Sequence, residues 1–505
     1  MTRLPIFPAL LVAFSLVAQD APKVDAPKAA VPKLTLQNAI ETSLKNNLQV
    51  QIAVETRDFT RAGLTIEQGA FDWNLTSGLS ISKTQDGFRY PNGDGTMGTL
   101  EGTNFYRSLT VGSTKAFGWG GNLSLSYAPI YSAHSGSLYT GSTTSPYDGS
   151  FTATYTQSLL RNFGRDTTES RLIVARKSAQ AADLTFKLSI INLVASTESQ
   201  YWDVVYAQKN LENKQQALAL AQKQLNENQI RVQVGTLAPI EVTSSEASVA
   251  QAQQDIIAAE AQLLNAKDAL IRALYPSSER PAGMELADVP NLKTLEMDES
   301  AAEKQALANR IELKSYRLDL ESRQVLETAA NNRIMPQLDA FASYNGNAAS
   351  QIPSEGLAAV NKDLTKGTYP GYTVGIQFAL PIQNRAARGN QAQARANRRQ
   401  SELNLRDLEL GITLEVRQSY RNLEASSKGV TAAEKTRYFR EKDLEAEQKK
   451  FENGMSTNFL VLSKLNDLNT AKGNELQSQI TYAKAVTAME KALGHLLEAR
   501  KLEVQ

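Results

Sequence analysis

The chain of 505 residues contains no cysteine. Disulfides, thiolate zinc sites, cysteine nucleophiles and a lipid anchor on a leading cysteine are thereby excluded. Histidine is nearly missing too. His134 and His495 are the two present, and neither has a carboxylate or a second histidine at metal-ligand spacing. No glycine-rich phosphate loop and no nucleophile–base constellation appears, so no catalytic residue, cofactor or metal is expected, and no enzyme activity. Excess charge is absent: 54 basic residues against 53 acidic ones leave a net charge of +1, which argues against a nucleic-acid partner. Beyond the N-terminus no run approaches the ~18 consecutive apolar residues of a transmembrane helix. Any passage through a membrane would need a closed β-barrel, where every backbone polar group finds a partner.

What is present begins with a secretory pattern over residues 1–18. Arg3 precedes the apolar stretch Ile6–Ala18, although Leu16 is larger than a cleavage site after Ala18 usually carries. Residues 19–33 follow, with Pro22, Pro27 and Pro32 spaced by five, as an extended linker.

The rest of the chain is one unit written twice. Ser199–Leu274 aligns without a gap on Gln418–Leu493 at a shift of 219: Tyr201 meets Tyr420, Leu225 meets Leu444, and Gly235 meets Gly454. Upstream the shift is 263, with Leu44 on Leu307 and Asn46 on Asn309. The first repeat spans 34–281, with a β region at 72–160 and a turn at 234–239. A linker at 282–301 leads to the second repeat at 302–497, with a β region at 337–382 and a turn at 453–458. A tail occupies 498–505. The first β region is 44 residues the longer, the difference between the two shifts.

Each repeat holds a very long helix. Thr167–Val234 and Arg388–Asn453 lack proline, and at 1.5 Å per residue each reaches about 100 Å, a coiled-coil length. Val204, Leu211, Leu218, Leu225 and Val232 recur every seven residues, the period of a left-handed supercoil. On the return helix Val242, Val249, Ile256, Leu263 and Leu270 do the same, with small residues three positions later from Ser245 to Ala273. Leu423, Val430, Leu444 and Phe451 form a weaker copy in the second half. A soluble antiparallel coiled coil without a pore shows this periodicity as well.

The β regions point elsewhere. Leu75, Leu79 and Ile81 alternate with Thr76, Gly78, Ser80 and Ser82; Leu123, Leu125 and Tyr127 alternate with Ser124 and Ser126; Tyr372, Val374, Ile376 and Phe378 alternate with Thr373, Gly375 and Gln377. One face apolar and one face Ser/Thr/Gly is the lipid-out, water-in pattern of a membrane barrel, although a soluble sandwich shows it too. Asp86–Asn104 and Ser132–Ser150 read as long surface loops. Few strands per chain leave open edges, so several copies must share one barrel. Four strands from each of three copies make twelve. The first region holds four candidate strands, near 74–84, 107–117, 121–129 and 151–158, with a turn at 117–121. The extra hairpin either projects on the outer side, which we prefer, or widens the barrel to six strands per chain.

With a secretory start, a duplication, two β regions and helices of that length, the chain resembles the TolC/OprM family of outer-membrane efflux proteins over about Leu34–Leu497. The motifs are "LTLQNAIETSLKNNLQVQIA" (34–53) and its echo "ALANRIELKSYRLDLESRQ" (306–324), the strand-to-helix passages "TQSLLRNFGRD" (156–166) and "ALPIQNRAARG" (379–389), and the turns "QVGTLAPIEVTSSEA" (233–247) and "ENGMSTNFLVLSKLND" (452–467). The fold class so implied is mainly α with transmembrane β: duplicated coiled-coil hairpins forming a trimeric α-barrel, beneath hairpins that share an outer-membrane β-barrel. The resemblance also implies a belt around the α-barrel, to which Ala282–Ala301 and Glu498–Gln505 contribute. The homotrimer would sit among outer-membrane lipid of a Gram-negative bacterium, with a long periplasmic portion. Its partners would be a periplasmic adaptor and, through it, an inner-membrane transporter.

The function implied is the passive exit duct of a tripartite efflux pump for small molecules. The outer component of a type I protein-secretion system is an alternative, and a periplasmic coiled-coil protein without a pore is a second. The turns would be the adaptor-contacting tips, at Gly235, Thr236, Pro239, Gly454, Met455 and Asn458. The periplasmic entrance would hold Glu241, Ser244, Leu460 and Ser463. Leu460 and Ser463 stand where the family often carries two aspartates, which puts a cation-blocked gate in doubt and suggests an apolar constriction. Three copies of Glu241 would favour cations; equally, Glu241 is a helix-start acid facing the helix dipole.

Overall fold

In the computed structural model the two halves follow the same course. The structure describes residues 33–139, 146–275, 285, 286, 288, 298–352 and 354–502. The leader at 1–18, all of the linker at 19–33 but its last residue, most of 282–301 and the end of the tail lie outside these. The first half runs β1 (Lys33–Leu34), α1 (Leu36–Asn46), α2 (Leu48–Gly69), β2 (Asn74–Pro91), β3 (Met97–Ala116), β4 (Gly121–Gly136), β5 (Tyr147–Ser158), α3 (Arg165–Thr168), α4 (Ser170–Gln233) and α5 (Ile240–Leu274). The second runs β6 (Glu285–Leu286), α6 (Glu299–Asn309), α7 (Ile311–Asn332), β7 (Gln337–Ser350), α8 (Gly356–Lys366), β8 (Pro370–Ala379), α9 (Arg385–Glu452), α10 (Asn458–Leu493) and α11 (Leu496–Ala499).

Helices α4 and α9 have 64 and 68 residues. Such lengths hold only through packing along the whole helix, and each has neighbours throughout. On the side towards the strands the order across the wall is α2, α4, α7, α9; on the far side it is α5, α4, α10, α9. The through-going helices thus exchange partners at mid-length, and the ends of the short helices meet there. Asn47, capping α2, donates its side-chain amide to the carbonyl of Ala273 at the end of α5, at 2.8 Å. Arg310, in the equivalent place before α7, donates to the carbonyl of Ala492 at the end of α10, at 3.3 Å. These positions coincide under the shifts of 263 and 219. The same shifts place the buried hydroxyl pair Ser43–Thr197, 3.0 Å apart, on the buried apolar pair Ala306 and Val416. Exchanging both partners of a hydrogen bond for apolar groups costs little.

Described residues of the two segments expected to form a belt lie near these joints. The parallel pair β1–β6 is held by Asp288, whose carboxylate accepts from the Leu36 amide at 2.6 Å and the Tyr201 hydroxyl at 2.8 Å. From the tail, Arg500 reaches Glu198 on α4 with two nitrogens.

Strands β2, β3, β4, β5, β7 and β8 form one antiparallel sheet in that order. This corrects the preference for a projecting hairpin. β3 pairs with β4 from Gly102↔Gly136 to Ala116↔Asn122, so the extra hairpin belongs to the sheet. The turn between β3 and β4 is pinned to the passage into α3: Gly120 has φ +95°, and a Cβ there would lie 2.4 Å from the Asn162 carbonyl. The expected loops are corrected as well. Residues 86–91 and 97–102 pair across a short turn at 92–96, and 132–136 and 147–150 are strand. Their Ser/Gly/Asn composition reads as loop, but ladder hydrogen bonds satisfy the backbone whatever the side chains. Within 337–382 the structure also inserts α8, whose buried Val360 lies over Gly149.

Register aligns the faces across all six strands. Leu79 lies opposite Leu109, Val111 opposite Tyr127, Leu125 opposite Ala153, Ala153 opposite Tyr344, and Tyr344 opposite Tyr372. On the other face Gly112 meets Ser126, Ser126 meets Thr152, and Thr154 meets Ser343 with their hydroxyls 2.9 Å apart. Among the described residues no helix is long and apolar enough to cross a membrane.

Candidate functional site at the hairpin tips

Both long hairpins turn by the same backbone device. Gly235 and Gly454 take φ values of +79° and +72°. The Gly235 and Thr236 amides donate to the carbonyls of Val232 and Arg231 at 3.0 and 2.9 Å; Gly454 and Met455 repeat this on Phe451 and Lys450 at 3.1 and 2.9 Å. The paired ending satisfies the last helical carbonyls. A Cβ at either glycine would meet nothing within 4 Å, so the requirement is conformational. Alanine at either site is expected to cost about 1–2 kcal/mol through the left-handed backbone alone, read as a lowered melting temperature. A melt unchanged by both substitutions would show that the tips tolerate another turn.

After the turns, α5 starts behind Pro239, and α10 is capped by Thr457, whose Oγ1 accepts from the Leu460 amide at 3.4 Å. This cap carries Asn458 inward, where it is 1% exposed. Its Oδ1 accepts from Asn228 at 2.7 Å and Gln224 at 3.2 Å, both on α4. Its Nδ2 donates to the Glu241 carboxylate at 3.0 Å and to Ser245 Oγ at 3.4 Å on α5. Asn228 also donates to Ser245 Oγ at 2.7 Å. One buried asparagine of the second hairpin therefore ties both helices of the first. Beside it, Arg231 stacks over the Phe451 ring at 4.4 Å and donates to the Phe451 carbonyl at 3.2 Å. Leu444, Phe451, Val461, Leu465 and Leu468 close an apolar cluster with Leu220 and Leu237.

Two carboxylates brace the second tip. The Ser456 hydroxyl, then Lys450, hold Glu447 below the usual carboxylate range. A hydrogen bond from Lys464 does the same for Asp443. A lowered folded value means stability that is present above the ordinary value and lost as pH falls through the folded one. The tip is expected to hold from neutrality down to the ordinary carboxylate range and to loosen in stronger acid. Amide exchange of residues 444–468 against pH checks this; loosening on the alkaline side would contradict it.

The structure brings together only some of the residues singled out from the sequence. Gly235, Thr236, Pro239, Gly454 and Met455 lie at the exposed extremity. Asn458, expected to contact an adaptor, is corrected: its side chain is enclosed between the hairpins. Glu241 is drawn to it. Ser244 and Ser463 both line a groove of about 890 Å³ formed by α4, α5 and α10, in which Lys214 of α4 and Asp255 of α5 pair at 2.7 Å. Leu460 lies on the exposed side of α10 and does not line that groove.

Sequence reasoning missed Gln224 and Asn228. The signal was there: Ala217, Ala221, Gln224 and Asn228, the buried positions of α4 near the tip, follow a four–three–four spacing one residue out of phase with Leu218 and Leu225. Among the described residues no cluster of His, Asp and Glu could hold a metal.

A family model described as outer membrane efflux protein matches residues 123–274 and 303–495. Outer membrane protein TolC of Vibrio cholerae is 24% identical over 336 residues, covering 66% of this chain and 74% of that protein. Among solved structures, the Campylobacter jejuni CmeC outer membrane channel superposes with a TM-score of 0.65 at 16% identity, covering 91% of this chain and 86% of that one. The outer membrane protein VceC of Vibrio cholerae gives 0.65 at 14% identity, covering 91% and 96%.

Proposed function

The chain belongs to the outer membrane efflux protein family, and on that premise we propose that three copies form the exit duct of a tripartite pump, carrying small molecules passively from an inner-membrane transporter to the exterior. It is an outer-membrane channel protein with a long helical portion in the periplasm. The observation that carries the assembly is a pair of bare apolar stripes at the two ends of the helix row. Ile52, Phe59 and Ile66 lie along the outer face of α2, and Leu403, Leu410 and Leu414 along that of α9; all are at least 56% exposed. In a ring each α2 covers the α9 of the next copy, and both stripes leave water.

The tips support the partner. Val234, Ile240, Met455 and Phe459 crown the two turns at 67–74% exposure, an apolar patch fit for a docking protein. We assign adaptor contact to this crown together with Gly235, Thr236, Pro239 and Gly454. The entrance would be lined by Ser244, Leu460 and Ser463, with Glu241 held back by Asn458.

The test is electrophysiological. Protein extracted from outer membranes with detergent is expected to run as a heat-modifiable trimer and to conduct in planar bilayers. Phe59→Glu should weaken the trimer. A wild-type chain that is monomeric, soluble without detergent and silent in bilayers would sink the proposal.

A further inference from the structure

The first half brings four strands to the sheet and the second half two; β2 and β3 stand at the outer end of the strand order, and the family match begins after them, at residue 123. The faces of this hairpin agree with those of the other four strands. Leu75, Leu79 and Ile81 are 60–73% exposed in the single chain and sit on the same side, through Leu109 and Val111, as Leu125, Tyr127, Tyr344 and Tyr372. A hairpin standing outside a barrel would gain nothing from this agreement and would leave that face in water. The apolar band has an upper limit as well. Above Ile81 comes Lys83, and Arg107 lies over the rings of Phe105 and Tyr131 at 4.7 and 5.9 Å, cations and aromatics of the kind that mark a membrane surface.

The sheet ends on two free edges, β2 and β8. At the other end of the sheet, Tyr372, Val374, Ile376 and Phe378 are 62–83% exposed on the same face. β8 has 10 residues, the length of a tilted membrane strand (about 9–11). Lipid leaves no unpaired strand edge. We infer that the β2–β3 hairpin is part of the channel wall, and that the lower edge of β2 in one copy pairs with β8 of the next to close a barrel of eighteen strands.

This rests on the trimeric channel proposed above, and circumference favours it. Eighteen strands spaced about 4.8 Å and tilted about 40° measure about 110 Å around, twelve only about 75 Å. The four helices that each copy sets side by side make twelve in a ring, which at about 9 Å apart also measure about 110 Å. Strand wall and helix wall then match, and the exit is as wide as the duct beneath it.

The lack of native cysteine allows a direct test. Thr373→Cys on the polar face of β8 is combined in turn with Gly78→Cys, Ser80→Cys and Ser82→Cys on the polar face of β2, and separately with Ser126→Cys on β4. Oxidation is expected to give covalent dimers and trimers from at least one β2–β8 pair and none from the β4–β8 pair. A ladder from the β4–β8 pair would place the hairpin outside the wall. So would the absence of any β2–β8 ladder in protein that still runs as a conducting trimer under reducing conditions. If the unsubstituted chain forms no trimer, the channel proposal itself has failed, and this inference with it.

Discussion

Replacing Arg500 with methionine is expected to lower stability by about 3–5 kcal/mol, the usual cost of removing one partner from a buried ion pair. Glu198 is 0% exposed in the middle of α4. Its carboxylate accepts from Arg500 at 2.5 and 3.0 Å and from the Thr487 hydroxyl at 2.6 Å. Arg500 also lies 2.8 Å from Glu490 on α10. A residue of the tail thus neutralises a charge in the middle of α4 and fastens α4 to α10. Without it Glu198 is left charged and enclosed. The measurement is thermal melting of the detergent-solubilised protein, with resistance of the trimer to heating in SDS as a second readout. Arg500→Lys should recover part of the loss, since an ammonium cannot match both oxygens. Glu198→Gln combined with Arg500→Met should recover more, because the fully enclosed charge of Glu198 is gone and Glu490 alone loses its cation. A single substitution as stable as wild type would show that the pair carries nothing.

Asn458→Leu is expected to have the second largest effect, and on function first. It removes the acceptor shared by Asn228 and Gln224 and the donor to Glu241. Each enclosed polar group left unpaired costs about 1–3 kcal/mol. The loss falls on the contact between the two hairpins, so the tips should part, and single-channel conductance should rise with faster amide exchange near 224–245. Replacing Gln224, Asn228 and Asn458 together by leucine removes the stranded amides, with only Glu241 still losing its donor. That variant should regain stability while keeping the altered conductance, because the directional tie is still gone. Conductance and stability both unchanged in Asn458→Leu would refute the role.

The plan of the molecule was legible in the sequence because duplication leaves its mark in register. The same shifts that align Gly235 with Gly454 also align Asn47 with Arg310 and Ala273 with Ala492, and those pairs make equivalent contacts. The seven-residue period found the coiled coils and the buried Val204, but near the tip it set the seam of α4 one residue off. Leu218 and Leu225 announce themselves as core, yet in the single chain they are half-covered, and alanines and amides hold the closest approach. A hydrophobic count overlooks a seam made of Ala217, Ala221, Gln224 and Asn228. The copy that looked weaker, Leu423, Val430, Leu444 and Phe451, is the one fully buried. The loops failed for another reason. Composition reports side chains, whereas the pairing of 86–91 with 97–102 is a backbone affair. Asn458 was placed correctly at the tip, but which way it points depends on the Thr457 cap, which spacing alone does not reveal.

The joints at Asn47 and Arg310 have a mechanical consequence. Of the four rods that make up one copy at any level, α4 and α9 alone are continuous from tip to strand. α5 and α10 stop half way, their last turns buried against the short helices: Leu274 beside Ala39, and Leu493 beside Ala306 and Leu313. Only two rods per copy therefore run unbroken from tip to strand, and a load on the tips reaches the sheet directly through those two and indirectly through the packed joints of the others.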